Sequence, residues 1–244
     1  MGIRIFIVNL KLSLDRKDYM IKLCNLFGLN VEFVEAVYGK ELQKSFVDSI
    51  YDSLKSYHTI GREMTLGEIG CALSHIRIYK YILEHNIDVA LILEDDVFFE
   101  KDLLNALEQI NLYPEDWNLV LLGHYSTHIN GREIESPVSY RRRFKLNTGS
   151  LYKLMGYGYG THGYLINQIG AKKLVNATRI IYKPIDHYTS DNSILNIYAL
   201  LPTVIKVNNN FDTTINDRRI IAKSIFKNNK LIYKLRNFIL RWKV

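Results

Sequence analysis

Strand, helix and strand patterns follow one another within the first 36 residues, and this alternation predicts an α/β fold with a mostly parallel sheet flanked by helices. Ile3, Ile5 and Ile7 alternate as one face of a strand does, a helical pattern covers Arg16–Phe27, and a second strand is expected over Val31–Ala36. Two further observations agree. Val89–Leu93 is a continuous apolar run of strand length. Thr65 and Glu68 stand at the spacing of a capping box, which opens a helix over Leu66–Glu84.

The other elements follow the same rules. Gly39–Glu63 mixes short helical patterns with polar breaks and is expected at the surface. Asp102–Ile110 reads as a helix and Trp117–Gly123 as a buried strand. From His124 to Met155 the chain is polar, irregular and basic at Arg141, Arg142 and Arg143, which predicts loops that carry function. Gly163–Ile166 resembles a short strand, Gln168–Asn176 a helix, Asp191–Leu200 another helix, and Thr203–Val207 a last strand. The expected division is a globular domain over 1–217 and a basic helical tail over 218–244.

Composition is that of an ordinary globular chain: 244 residues, 48% hydrophobic and 23% charged. No apolar run approaches the roughly 20 residues of a membrane span. The chain starts as a strand rather than a secretory leader, so a soluble cytoplasmic protein is expected. Cys24 and Cys71 read as two buried thiols of a reduced compartment, with no metal-type spacing. The net charge of +7 invites a nucleic-acid partner, but nine of the 32 basic residues follow Asp217 with no acid among them. The remaining 23 face 25 acids, so the body is near neutral and a nucleic-acid surface is not expected.

Glu94-Asp95-Asp96 ends the apolar strand, and ligands of open α/β sheets bind beyond the carboxyl ends of strands. Adjacent carboxylates repel unless something positive neutralises them. A divalent cation with hard oxygen ligands does so and bridges naturally to a diphosphate. The alternative is that the acids cap the next turn. Upstream, Gly67, Gly70 and Ala72 open the long helix, where glycine costs about 1 kcal/mol against alanine. Small residues there suggest close approach of a ligand or of a neighbouring backbone. Ser74 and His75 could then face a ligand; tight packing around a satisfied His75 is the alternative.

The ordered set Ile7-Val8-Asn9-Leu10 with Asp15-Arg16, Glu35-Ala36-Val37-Tyr38-Gly39, Leu66 through His75, and Leu93-Glu94-Asp95-Asp96-Val97 resembles glycosyltransferase family 25. The likeness continues through Gly160-Thr161, Tyr164-Leu165-Ile166 and Pro184-Ile185-Asp186, spanning about residues 3–190 in order. That family includes lipooligosaccharide and collagen galactosyltransferases. The resemblance implies a GT-A fold, a UDP-sugar donor such as UDP-galactose, a lipooligosaccharide or related acceptor, and inversion at the anomeric carbon. It also implies a divalent metal at the acidic triplet, Mn²⁺ with Mg²⁺ as the alternative. Tyr38 departs from the family, which commonly has Asp there, so the donor contact at that position is not carried over.

By the same resemblance, Asp96 binds the metal while Glu94 or Asp95 reaches the ribose or a metal-bound water, Asp95 also being a candidate metal ligand. Asn9 and Arg16 could bind uracil, ribose or diphosphate, with a solvated helix-start charge as the alternative for Arg16. An inverting transfer needs a base, usually a carboxylate, and Asp186 after Pro184 is the candidate. Its alternative role is helix capping, for which Asp191 is better placed because Ser193 follows it. His187 is a possible extra metal ligand. Gly158, Gly160 and Gly163 match a dinucleotide-binding spacing, but the strand and helix that fingerprint needs are missing. Alternating with tyrosines, they suit a loop lining a sugar site, with Tyr159, Thr161 and His162 facing donor or acceptor.

Other readings remain: a UDP-glucose-using transferase, a non-catalytic glycan-binding relative, and a nucleotidyltransferase. The last would need a Gly-rich phosphate loop near the first strand, which the sequence lacks. In the tail, Ile221, Ile225, Ile232, Leu235, Ile239 and Trp242 share a helical face, with lysines and Arg241 on another side. Such a helix suits the anionic inner face of the inner membrane, or it packs on the domain or a second subunit.

Overall fold

The computed structural model describes residues 2–129, 132–134, 136–208 and 210–211. The expected tail helix, and with it the membrane-facing stripe, lies outside the described residues. The chain opens with β1 (Arg4–Asn9), α1 (Leu14–Leu26) and β2 (Glu32–Glu35). A single 3₁₀ turn at Gly39–Glu41 leads to α2 (Lys44–Ile50), α3 (Ser53–Ile60) and the long α4 (Leu66–Glu84). Then follow β3 (Val89–Glu94), β4 (Val97–Phe99), α5 (Lys101–Glu108) and β5 (Leu119–Tyr125). A small hairpin, β6 (Thr127–Ile129) and β7 (Arg132–Ile134), precedes β8 (Val138–Leu146), β9 (Gly149–Leu154) and β10 (Tyr159–Asn167). The described chain closes with α6 (Gln168–Ala177), α7 (Ile185–Thr189), β11 (Ile197–Leu201) and β12 (Ile205–Val207).

Eight strands form one sheet in the order β2-β1-β3-β10-β5-β11-β9-β8. Only β10 and β9 run against the other six, so the sheet is mostly parallel in strand direction. Apolar side chains leave both faces. Phe6, Ala90, Ile92 and Leu121 enter the core under α4 and α6, while Ile7, Leu91, Leu93 and Val120 enter the one under α1 and α5. This double burial is why the β3 and β5 segments are unbroken apolar runs rather than alternating ones.

The α4 boundaries are those the sequence predicts. Thr65 accepts from the Glu68 amide at 3.2 Å, and Glu68 accepts from the Thr65 amide at 2.8 Å. Three expectations are corrected. Asp191–Leu200 is not a helix: the Asp191 carboxylate accepts from the amide and hydroxyl of Ser193 in a tight turn, and Ile197–Leu201 is a sheet strand. An apolar run of five or so residues cannot be assigned by periodicity alone, and here its sheet partners, β5 and β9, decide it. His124–Met155 is not mainly loop, since β8 and β9 pair with each other and β9 with β11. Gly163–Ile166 is the second half of a nine-residue strand that begins at Tyr159. No helix among the described residues is long and apolar enough to cross a membrane.

Candidate active site

The carboxyl ends of β1 and β3 stand side by side, and the antiparallel β10 brings its beginning to the same edge. Residues from all three, from the start of α4 and from α7 line a cavity of about 1060 Å³. One wall is the acidic turn. β3 ends at Glu94, and Asp95 and Asp96 turn the chain into β4. Arg16, buried at the start of α1, places Nη1 2.8 Å from Asp95 Oδ1 and 3.0 Å from Asp96 Oδ2. Asn9 donates to Asp95 Oδ2 at 2.7 Å and to the Ser13 carbonyl at 3.1 Å.

These contacts revise two sequence expectations. Asn9 spends its amide protons on Asp95 and the next turn and does not line the cavity, so its role is to hold the acidic pair rather than to meet a nucleotide. Asp95 has both oxygens engaged by Asn9 and Arg16. Asp96 differs: Oδ1 is buried with no hydrogen-bond partner. Burial and then the charge of Glu94 push the Asp96 carboxyl up to about 6, with Arg16 opposing. An orphaned carboxylate oxygen in a surplus of negative charge fits a hard divalent cation. Asp96 is the ligand that fits best, with Asp95 behind it as a positioned neighbour.

Glu94 is held from the opposite side. Thr161 Oγ1 donates to its Oε1 in a short hydrogen bond, and His162 Nδ1 lies 3.7 Å from Oε2. Burial works against its charge, but His162, His75 and Thr161 outweigh it and hold the carboxyl down at about 2. Thr161 and His162 therefore line the cavity, with Thr161 committed to Glu94. His162 also stacks on Tyr125 at 5.8 Å. Tyr159 clusters with Tyr157 and His187, its ring 5.2 Å from the first and 4.7 Å from the second. Tyr159–Gly163 is a strand and not the expected loop, and its glycines serve packing. Gly163 abuts the Ile205 side chain, and Gly160 holds a φ of +91° beside the His162 ring.

On α4, Ser74 is satisfied twice, accepting from the Val37 amide at 2.8 Å and donating to the Gly70 carbonyl at 2.7 Å. It pins the loop after β2 to the helix. Gly70 explains the small residues: a Cβ there would lie 2.5 Å from the Val37 carbonyl oxygen. At Gly70 the close approach is by backbone. His75 Nδ1 is 2.7 Å from Tyr164 Oη, and burial pushes its pKa down to about 4.

Asp186 sits inside α7, with Pro184 as its N-cap residue, so capping is not its role. Its Oδ1 is buried without a partner. Burial raises its pKa, against the pull of His187 and of the Gly160 amide. It lines the same cavity as Glu94 and Asp96. Asp191, its rival, is paired with Lys183 at 2.6 Å and is absent from that lining.

Sequence reasoning missed several lining residues, among them Tyr125, Cys71 and Phe211. Cys71 is not a core thiol but lines the cavity one helical turn before His75. That four-residue step was legible in the sequence. Phe211 lies under the Arg16 guanidinium at 5.4 Å and against Tyr19 at 5.2 Å. Nothing local to residue 211 announces that contact.

Residues 3–189 match the family model of glycosyltransferase family 25 (LPS biosynthesis protein). The chain belongs to glycosyltransferase family 25. Procollagen galactosyltransferase 1-B of Xenopus laevis is 37% identical over 184 residues, covering 71% of this chain and 28% of that protein. Procollagen galactosyltransferase 2 of Homo sapiens is 34% identical over 180 residues, covering 71% and 27%. The family 25 chain thus spans less than a third of the length of these relatives. Among solved structures, A197 from STIV aligns with a TM-score of 0.45 and 16% identity, over 84% of each chain. The family 25 match includes every wall of the cavity except the segment at Val207 and Phe211. The architecture is α/β, a mostly parallel sheet flanked by helices, as the sequence predicts.

Proposed function

We propose that the protein is an inverting, metal-dependent galactosyltransferase that takes UDP-galactose as donor and a lipooligosaccharide or related bacterial surface glycan as acceptor. The observation that carries this reading is a single cavity with the Glu94, Asp95 and Asp96 run in one wall and the half-buried Asp186 in another. Asp96 would hold the metal through its unpartnered oxygen. Bound there, a divalent cation supplies Lewis-acid stabilisation of the diphosphate leaving group. Arg16 and Asn9 keep Asp95 fixed behind it, so the turn does not fly apart under its own charge.

Asp186 takes the proton of the acceptor hydroxyl. The hydroxyl oxygen attacks the anomeric carbon, the bond to UDP breaks, and UDP leaves with the bonding electrons. A raised pKa suits Asp186 to this work, since a more basic carboxylate is a better proton acceptor. Tyr159 lines the cavity and offers its ring to a sugar there, with Tyr157 stacked on it from outside the cavity. Galactose rests on the names of the similar proteins, and the surface glycan on the family's description. The basic tail then holds the enzyme at the cytoplasmic face of a membrane, beside a lipid-linked acceptor.

A donor screen tests the proposal. Purified protein with Mn²⁺ and each of several UDP-sugars is assayed for UDP release, with and without a lactose- or glucose-type acceptor. UDP-galactose should turn over fastest, and excess chelator should abolish release. Release from UDP-glucose alone would transfer the reading to a glucosyltransferase; no release from any UDP-sugar would reject it.

A further inference from the structure

Cys71 and His75 stand one turn apart on α4, so their side chains share a face. That face meets the end of β3 at Glu94. One ligand-type atom from each of the three residues lies within 4.8 Å of the other two. His75 is fully buried, and its Nδ1 is engaged by Tyr164 Oη, which is itself 2.6 Å from Tyr79 Oη. Nε2 is left buried with no hydrogen-bond partner. A core histidine ordinarily has both nitrogens satisfied. An imidazole fixed through one nitrogen with the other bare is instead how metal-binding histidines are presented.

We propose that Cys71, His75 and Glu94 form a binding site for a divalent cation of the zinc type, distinct from the hard-oxygen position at Asp96. A sulfur, an imidazole nitrogen and a carboxylate oxygen form a donor set that zinc accepts and magnesium does not favour. Three protein ligands leave a fourth position, which opens on the cavity that all three residues line. Zinc bonds of about 2.0–2.3 Å set tetrahedral neighbours roughly 3.5 Å apart, so the side chains close by roughly an ångström on binding. As the sulfur–metal bond forms, the Cys71 thiol proton passes to solvent. Glu94, Asp186, Glu68 and Asp96 all act on Cys71, and a dication offsets that concentration of negative charge. Thr161 donates to Glu94 Oε1 and His162 Nδ1 lies 3.7 Å from Oε2, so a cation at Glu94 binds Oε2 in competition with His162.

Cobalt(II) is the probe, titrated into the full-length protein in saturating Mg²⁺ so that hard-oxygen positions are filled. One equivalent should bind with a near-ultraviolet thiolate-to-cobalt charge-transfer band. Zn²⁺ should displace it. Cys71→Ser should remove the band, whereas Cys24→Ser and Asp96→Asn should leave it. His75→Gln should weaken cobalt binding by roughly tenfold or more, and this arm stands if Cys71→Ser does not fold. The site is overturned by absence of the band in the parent protein or its survival in Cys71→Ser. Loss of the band through Asp96→Asn, or unchanged affinity in His75→Gln, overturns it equally. No sugar donor enters this experiment, so its failure leaves the transferase reading untouched.

Discussion

Arg16 sets one guanidinium against Asp95 and Asp96, while Glu94 adds a third carboxylate to the run. The arrangement leaves Asp96 under-neutralised, and burial, followed by the charge of Glu94, raises its pKa. Sequence reasoning saw the carboxylates because three acids ending an apolar strand need a cation of some kind. It expected Asn9 and Arg16 near the nucleotide and could not see that two neighbouring strand ends face each other; Asn9 stands outside the cavity, whereas Arg16 lines it. The adjacency of β1 and β3 is a tertiary fact, and it turns both side chains toward Asp95. Asp186 was legible as an acid fixed by Pro184, but its separation from Asp191 was not, since that rests on tertiary facts: Asp186 lines the cavity with an unpartnered oxygen, while Asp191 is paired with Lys183 outside it. Asp186→Asn removes the proton acceptor at nearly constant shape. Transfer should fall about 10²–10⁴-fold with UDP affinity close to the parent value, measured by turnover and by calorimetry. A fall of less than a few-fold would remove Asp186 from the role of base.

Among the elements, α4 bears most on the site, and it was read from the sequence to the residue. Its start is marked by a local device, the Thr65–Glu68 box, and such devices need no distant partner. Strands β8, β9 and β11 went unread for the opposite reason: their partners lie far along the chain, and short apolar or mixed runs do not declare them. Within α4, Gly70 lets the 37–39 backbone lie against the helix, while Ser74 bonds the Val37 amide. Gly70→Ala should therefore destabilise the protein despite alanine's better helix propensity. The Cβ meets backbone at 2.5 and 2.9 Å, so a loss of about 1–3 kcal/mol is expected in denaturant unfolding. Equal or greater stability than the parent would show that the loop after β2 yields freely.

At the scale of the whole molecule, charge is divided unevenly: a near-neutral body carries a tail with nine basic residues and no acid after Asp217. Each basic residue close to an anionic membrane surface contributes about 1 kcal/mol, so several suffice for reversible attachment. Full-length protein should sediment with anionic but not neutral vesicles, and should lose this at high salt or on truncation after Asp217. Protein that stays in the supernatant with anionic vesicles at low salt would assign the tail to the domain or a second subunit instead.

The β10 strand, lying between β3 and β5, has a consequence for how the protein is made. Its register sets Gly163 against Leu93, so the two partners are synthesised about seventy residues apart. During that interval one edge of β3 waits unpaired beside a finished β1, an apolar strand edge of the kind that aggregates. Contacts so distant along the chain also slow folding. The cavity therefore stays open on one side until β10 has left the ribosome and inserted, and a nascent chain halted before Tyr159 holds Glu94 without Thr161 and His162 against it.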